Sequence, residues 1–363
     1  MIPYDPFARG PLPVGVRTIR AHDAGRDRTF TVEVWYPAAA SRAGQDLAPA
    51  TQDAFAVPGF SAPRRQAAVR DAAAEPGLHP LIAFSHHSGG PRRMATFLTT
   101  HLASHGYVVA ALDHSEAFVP ELRRPPEETA SQKAARLEAV IASRVPDVRF
   151  LLDQLLEGGA WDSAARPDVT RVGLVGHSFG GWTALAVPDV EPRIRAVVAL
   201  APGGASQRKP GIIPATLRFA WARDVPTLYL VAEDDTSLPI AGMYELFDRT
   251  PATRRMVILR RADHLHFMDA VEEMHEAVRG MPTPGELAWL PKDMRPVAEL
   301  CPGEQAHTFA RGLTLCHLDA VLKECEDARR LLDGDIRREL ETRGVEGWEV
   351  KSPDVARHSA REP

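Results

Sequence analysis

The chain has 363 residues, and its 44% hydrophobic and 25% charged content suits a globular protein able to bury a sizeable core. A formal net charge of -5 argues against nucleic acid as the main partner, and no apolar run reaches the roughly 18 residues that would span a membrane. The first residues carry no basic or apolar leader pattern, and three cysteines, Cys301, Cys316 and Cys325, sit in the C-terminal quarter, so no secretory signal and a reduced, cytoplasmic setting are expected.

In chain order, residues 14–19 and 29–36 predict an antiparallel pair around the turn 23–27; the second strand alternates with period two and Pro37 stops it. Residues 38–79, rich in Ala, Pro and Arg, read as a surface excursion with a short helix over 65–74. Residues 81–84 are a short buried strand that opens into Ser85-His86-His87-Ser88-Gly89-Gly90. A helix follows over about 93–104, ended by Gly106, and then a strand over 107–112 runs into Asp113-His114-Ser115-Glu116. Residues 117–145 break the pattern: Pro120, Pro125 and Pro126 make a loop, and a polar helix spans 129–143, the expected cap over a site. A second helix over 147–156 carries Val148, Leu151, Leu152 and Leu155 at helical spacing.

The apolar run 172–175 leads into Gly176-His177-Ser178-Phe179-Gly180, and residues 181–186 read as a helix start. Further buried strands fall at 194–200, 227–232 and 256–259, with a Gly/Pro loop and a short helix over 201–222 and a helix over 240–247. Residues 270–363 are expected to be mostly helical. Phe309, Leu313, Cys316 and Ala320 share one face that Leu315, Leu318 and Leu322 widen, and the charged tail from Gly334 reads as peripheral. Short buried strands alternating with helices specify an α/β fold: a mostly parallel sheet, an antiparallel N-terminal edge, and helices on both faces. The expected division is a catalytic core over 1–270, with 117–145 as its cap insertion, and a helical extension over 271–363 whose apolar stripe packs back on the core.

The chemistry centres on Gly176-His177-Ser178-Phe179-Gly180. Between a strand and a helix, Gly-x-Ser-x-Gly is the pattern of a strained turn that lifts a serine oxygen over the end of a sheet. A serine hydroxyl needs a base and a group that orients the base. Asp235 follows strand 227–232, with Glu233 and Asp234 as rivals in the same loop; His264 follows strand 256–259, with His266 as its rival. The order Ser178, Asp235, His264 is that of a hydrolase triad. The oxyanion formed on attack needs donors already in place. Phe179 N–H is one, and the loop after 81–84 offers Ser88 N–H first and His87 N–H second. His87, His114 and His177 flank these segments and are assigned to substrate binding, with a polar loop as the alternative reading of His114. No metal is expected, because His86 and His87 lack a third ligand at fixed spacing.

Phe84-Ser85-His86-His87-Ser88-Gly89-Gly90, Gly176-His177-Ser178-Phe179-Gly180-Gly181, the Glu233–Pro239 loop and Val34-Trp35-Tyr36-Pro37 together resemble the α/β-hydrolase superfamily over roughly residues 10–270. The branch they resemble holds platelet-activating-factor acetylhydrolases, dienelactone-hydrolase-like esterases and bacterial polyester hydrolases. The resemblance implies a cofactor-free serine esterase acting on a small-molecule ester through an acyl-enzyme. Three departures stand out. This chain has His86-His87 where the acetylhydrolases carry His-Gly. It has Ala201-Pro202 where they place their acid. It has Ser178 where dienelactone hydrolases proper use cysteine. Amide or lactone hydrolysis, acyl transfer, or ligand binding without catalysis are the alternatives on the same fold.

Overall fold

The period-two alternation along each apolar run sorts its side chains onto two faces, and this sorting is what builds the protein. The computed structural model describes residues 4–57, 62–119, 128–157 and 159–350. The strands are β1 (Val14–Asp23), β2 (Arg28–Pro37), β3 (Ala54–Phe55), β4 (Arg64–Arg65), β5 (Val69–Arg70), β6 (Gly77–Ser85), β7 (Val108–Leu112), β8 (Ala165–His177), β9 (Ile194–Leu200), β10 (Thr227–Ala232), β11 (Arg254–Leu259) and β12 (Gly347–Val350). The helices are α1 (Thr96–Ser104), α2 (Ala130–Leu156), α3 (Phe179–Ala186), α4 (Ile240–Arg249), α5 (Val271–Gly280), α6 (Leu290–Asp293), α7 (Gly303–Leu322), α8 (Glu326–Asp333) and α9 (Ile336–Glu341).

Ten strands form one sheet in the order β12-β11-β10-β9-β8-β6-β7-β2-β1-β5, while β3 and β4 pair separately. The run from β11 to β7 is parallel. β2 joins β7 antiparallel, and β1 joins β2 the same way in the predicted hairpin register, Val14 opposite Pro37. In β11, Val257 and Leu259 enter one core while Met256 and Ile258 enter the other. The first core holds α1 and α7 to α9; the second holds α2, α3 and α4. Among the described residues, no helix is long and apolar enough to cross a membrane.

Several expectations are corrected. No helix forms over 65–74: the stretch is extended, with β4 and β5 in it, and β5 pairs with the sheet edge at Gly15 and Val16. The 201–222 loop likewise contains no helix. The two helices predicted over 129–156 are one, α2, which runs straight through Pro146. Proline costs the bond to the carbonyl four residues back. Val140, Val148, Leu151, Leu152 and Leu155, buried on one face on either side of it, keep the axis continuous. The prolines of the expected cap loop, Pro120, Pro125 and Pro126, lie outside the described residues.

In the C-terminal part the stripe read on α7 packs back on the sheet: Phe309, Leu313, Leu315, Cys316 and Leu318 have no exposed surface. A buried leucine contributes about 1.5–3 kcal/mol, so this helix is part of the core. The tail read as peripheral is structured over its described residues, 334–350, while 351–363 lie outside the described residues. Asp335 caps α9 through Arg338 N–H, and β12 closes the sheet edge antiparallel to β11, Leu259 opposite Gly347.

Candidate active site

The parallel strands deliver their chemistry at their carboxyl ends, as open α/β sheets do. β8 ends at His177, and Ser178 follows at φ +58°, ψ -115°, a strained conformation for a residue with a side chain. The flanking glycines are required by contact. A Cβ on Gly176 would lie 2.0 Å from the Gly180 carbonyl oxygen, and one on Gly180 would lie 1.9 Å from that of Ser85. Strand, helix and oxyanion loop therefore meet without side chains between them.

The loops after β10 and β11 bring a carboxylate and an imidazole to Ser178. His264 Nε2 lies 2.8 Å from Ser178 Oγ, and His264 Nδ1 lies 2.7 Å from Asp235 Oδ2. With Nδ1–H donating to the carboxylate, Nε2 carries the lone pair that faces the serine hydroxyl. Asp235 is fixed in turn, because its Oδ1 accepts from Ser237 N–H at 2.9 Å and Leu238 N–H at 2.7 Å. Burial opposes the charged imidazole, but Asp235, by charge and hydrogen bond, outweighs it and raises the His264 pKa above its ordinary 6.5. The rivals are engaged elsewhere: Asp234 pairs with Arg295, Glu233 accepts from Arg261 N–H, and His266 bonds Asp263 and the Cys301 carbonyl.

A cavity of about 480 Å³ opens over Ser178. His87, Ser88, Phe179 and His264 line its polar end, and Phe118, Leu137, Val140, Ile213, Leu265 and Leu287 are among its apolar walls. Leu137 and Val140 come from α2, so the expected cap does face the site. Leu287 and Leu290 come from the part placed outside the catalytic core, which corrects the 1–270 boundary as a limit of the site.

Of the three histidines assigned to substrate, only His87 reaches this cavity. Burial lowers its pKa to about 4, Nδ1–H donates to the Ser88 carbonyl at 2.7 Å, and Nε2 has no partner. His114 is buried behind the wall, between Ser85 Oγ at 3.1 Å and Asp147 Oδ2 at 2.9 Å. His177 is buried beneath His264, 3.0 Å from its carbonyl oxygen, and supports the base's backbone. Alternation along β8 turns the His177 side chain away from the elbow's open side, which is why the assignment fails. The nitrogens of His86 are both engaged, with the His87 carbonyl and the His114 N–H. Among the described residues, no group of three or more His, Cys, Asp or Glu could hold a metal ion.

Two neighbours of the site escaped the sequence reading. Asp263 joins the loops of acid and base: it accepts Thr236 N–H at 2.7 Å, Thr236 Oγ1–H at 2.8 Å and His264 N–H at 2.6 Å. Its place as a helix-capping residue directly before His264 was a readable signal. Arg144, in mid-helix, has no local mark; it forms a buried ion pair with Glu116, whose segment after β7 the sequence did single out and which lines the cavity.

The sheet order and the elbow together define an α/β-hydrolase. Residues 92–310 match the PET hydrolase-like family. The chain is 26% identical over 236 residues to cutinase est1 of Thermobifida alba, covering 63% of this chain and 67% of the cutinase. It is 25% identical over 229 residues to a platelet-activating factor acetylhydrolase of Cavia porcellus, covering 53% of this chain and 48% of that protein, about half its length. Among solved structures, a ferulic acid esterase from Streptomyces cinnamoneus matches with a TM-score of 0.63 at 26% identity, over 87% of this chain and 92% of that one. The chain belongs to the PET hydrolase-like family and is a carboxylic ester hydrolase of the serine type.

Proposed function

We propose that Ser178, His264 and Asp235 are the catalytic triad, acting on a small-molecule ester with an apolar acyl or alcohol part. Ser178 Oγ attacks the ester carbonyl as His264 Nε2 takes its proton. Asp235 holds the imidazole in register and stabilises its cation. His264 returns the proton to the leaving alcohol, and water repeats the sequence on the acyl-enzyme. The cycle consumes only water, so no cofactor is required, and chelation leaves the rate unchanged.

The oxyanion is held by Phe179 N–H and Ser88 N–H. Phe179 opens α3, where first-turn N–H groups have no partner in their own helix. His87 N–H is turned toward Met94 Sδ at 3.4 Å, which favours Ser88 as the second donor. The His87–Ser88 peptide supports this further. Its carbonyl accepts from Gly90 N–H at 3.1 Å and His86 Nδ1–H at 2.6 Å. In a trans peptide the Ser88 N–H then points the opposite way.

The observation that carries the reading is the unbroken hydrogen-bonded line from Ser178 through His264 to Asp235, opening on an apolar cavity. Fluorophosphonate labelling of Ser178, with loss of activated-ester hydrolysis in Ser178→Ala, tests it. Hydrolysis by Ser178→Ala at the parent rate overturns it. We further propose a reducing, cytoplasmic setting, with which three unbridged thiols accord.

A further inference from the structure

Arg144 is the only arginine in either core whose side chain has no exposed surface among the ion pairs of the described residues. A buried guanidinium is costly unless its donors are met. Here four contacts meet the two Nη groups under the oxyanion loop, while Nε has no partner among the described residues. Nη1 donates to Ser85 Oγ at 3.0 Å and to the His86 carbonyl at 2.7 Å. Nη2 pairs with Glu116 and reaches the His87 carbonyl at 3.4 Å. The guanidinium carbon also sits 4.3 Å from the centre of the Phe179 ring.

These contacts reach the peptide of one proposed oxyanion donor and the side chain of the residue that carries the other. The His87 carbonyl belongs to the same peptide as the Ser88 N–H, and a planar trans peptide ties the direction of one to the other. Phe179 carries the other oxyanion donor. We propose that Arg144 is a positioning residue for the oxyanion hole: it fixes the His87–Ser88 peptide from behind and packs on Phe179, so both N–H groups are aimed before the substrate arrives. The inference rests on the assignment of Ser88 and Phe179 as oxyanion donors.

The planar fork matters more than the charge. It spans two carbonyls and a carboxylate at once, which a lysine ammonium, as a single point of charge, does not. Glu116 neutralises the cation locally, so orientation is the effect to look for. Arg144 also belongs to α2, which supplies Leu137 and Val140 to the cavity wall. Wall and oxyanion loop are therefore braced by one helix.

The test compares the parent with Arg144→Lys and Arg144→Gln, with rates referred to sites titrated by a fluorophosphonate. Two inhibitors separate the roles. A trifluoromethyl ketone adds to Ser178 and forms an oxyanion; its carbinol fills the same cavity and forms none. The expected result is a fall in kcat of about 10²-fold, the scale of losing one oxyanion donor. KM should stay within about threefold on the uniform-binding criterion, with the ketone weakened in step with kcat and the carbinol unchanged. Equal weakening of both inhibitors, an unweakened ketone, or variants with no titratable site overturns the proposal, the last by making the role one of folding. Failure of the parent itself to be titrated at Ser178 would instead overturn the triad assignment.

Discussion

Replacing Asp263 by asparagine isolates the charge that joins the acid and base loops. Asparagine keeps an acceptor oxygen for Thr236 N–H and His264 N–H, which bond the native carboxylate at 2.7 and 2.6 Å, and its amide reaches Thr236 Oγ1 and His275 Nε2. What it removes is the negative charge. Burial disfavours that charge, but the donors from His275, Thr236 and His264 outweigh burial and hold the carboxyl at about 2, against an ordinary 3.8. By linkage this difference contributes about 2–3 kcal/mol of stability at pH 7. Because the folded pKa is depressed, the contribution is complete above the unfolded value and is lost as pH falls through the folded one; at pH 3 about 1 kcal/mol remains. Asp263→Asn should therefore be less stable than the parent by about 2–3 kcal/mol at pH 7, roughly 3 °C in melting temperature for a chain of this size, and by about 1 kcal/mol at pH 3. Denaturant titrations at the two pH values measure both gaps. A gap that is the same at pH 3 and pH 7, or one below about 0.5 kcal/mol at pH 7, refutes the assignment of charge rather than packing to this bridge.

Asp235→Asn should retain the fold and lose about 10⁴-fold in kcat, since the imidazole loses the partner that fixes its tautomer. The pH profile checks the same pair. The neutral form of His264 is the base and its pKa is raised, so kcat/KM should fall as pH drops through a value above 6.5, and this limb should move to lower pH in Asp235→Asn. In α7, a Cβ on Gly312 would lie 2.0 Å from the Phe7 ring. Gly312→Ala is expected to cost about 1–3 kcal/mol by overpacking, and a melt equal to the parent's would show that Phe7 yields freely. Removing residues 347–363 uncovers the edge of β11 opposite Met256 to Leu259. The shortened chain should lose about 2–4 kcal/mol with its ladder bonds and self-associate through the bared edge. Light scattering that stays monomeric at the parent's stability would contradict this.

Much of the site was legible because its parts are local. Ser178 is announced by the glycines around it, since Gly176 and Gly180 meet backbone where any side chain would collide. Asp235 and His264 could be put forward from their strand ends, and they do meet beside Ser178, because a parallel sheet gathers the loops after its strands at one edge. The division of 129–156 into two helices failed for the opposite reason: the low helix propensity of Pro146 is overruled by the apolar face α2 buries on the sheet. Asp335 and the four residues of β12 were missed because a short edge strand has too few alternations to stand out from a charged tail.

The sequence by itself determined the class of sheet and marked the candidate nucleophile and the chain order of the candidate acid and base, since each is set by a short run and its neighbours along the chain. Only the tertiary structure decided which carboxylate faces His264, that His114 and His177 lie behind the cavity wall, and that Leu287 and Leu290 complete that wall. It alone brought Arg144 against the carbonyls of His86 and His87, 58 and 57 positions away along the chain. Direction of a side chain and proximity across the sheet are set by packing in three dimensions, and no local pattern of residue types encodes them.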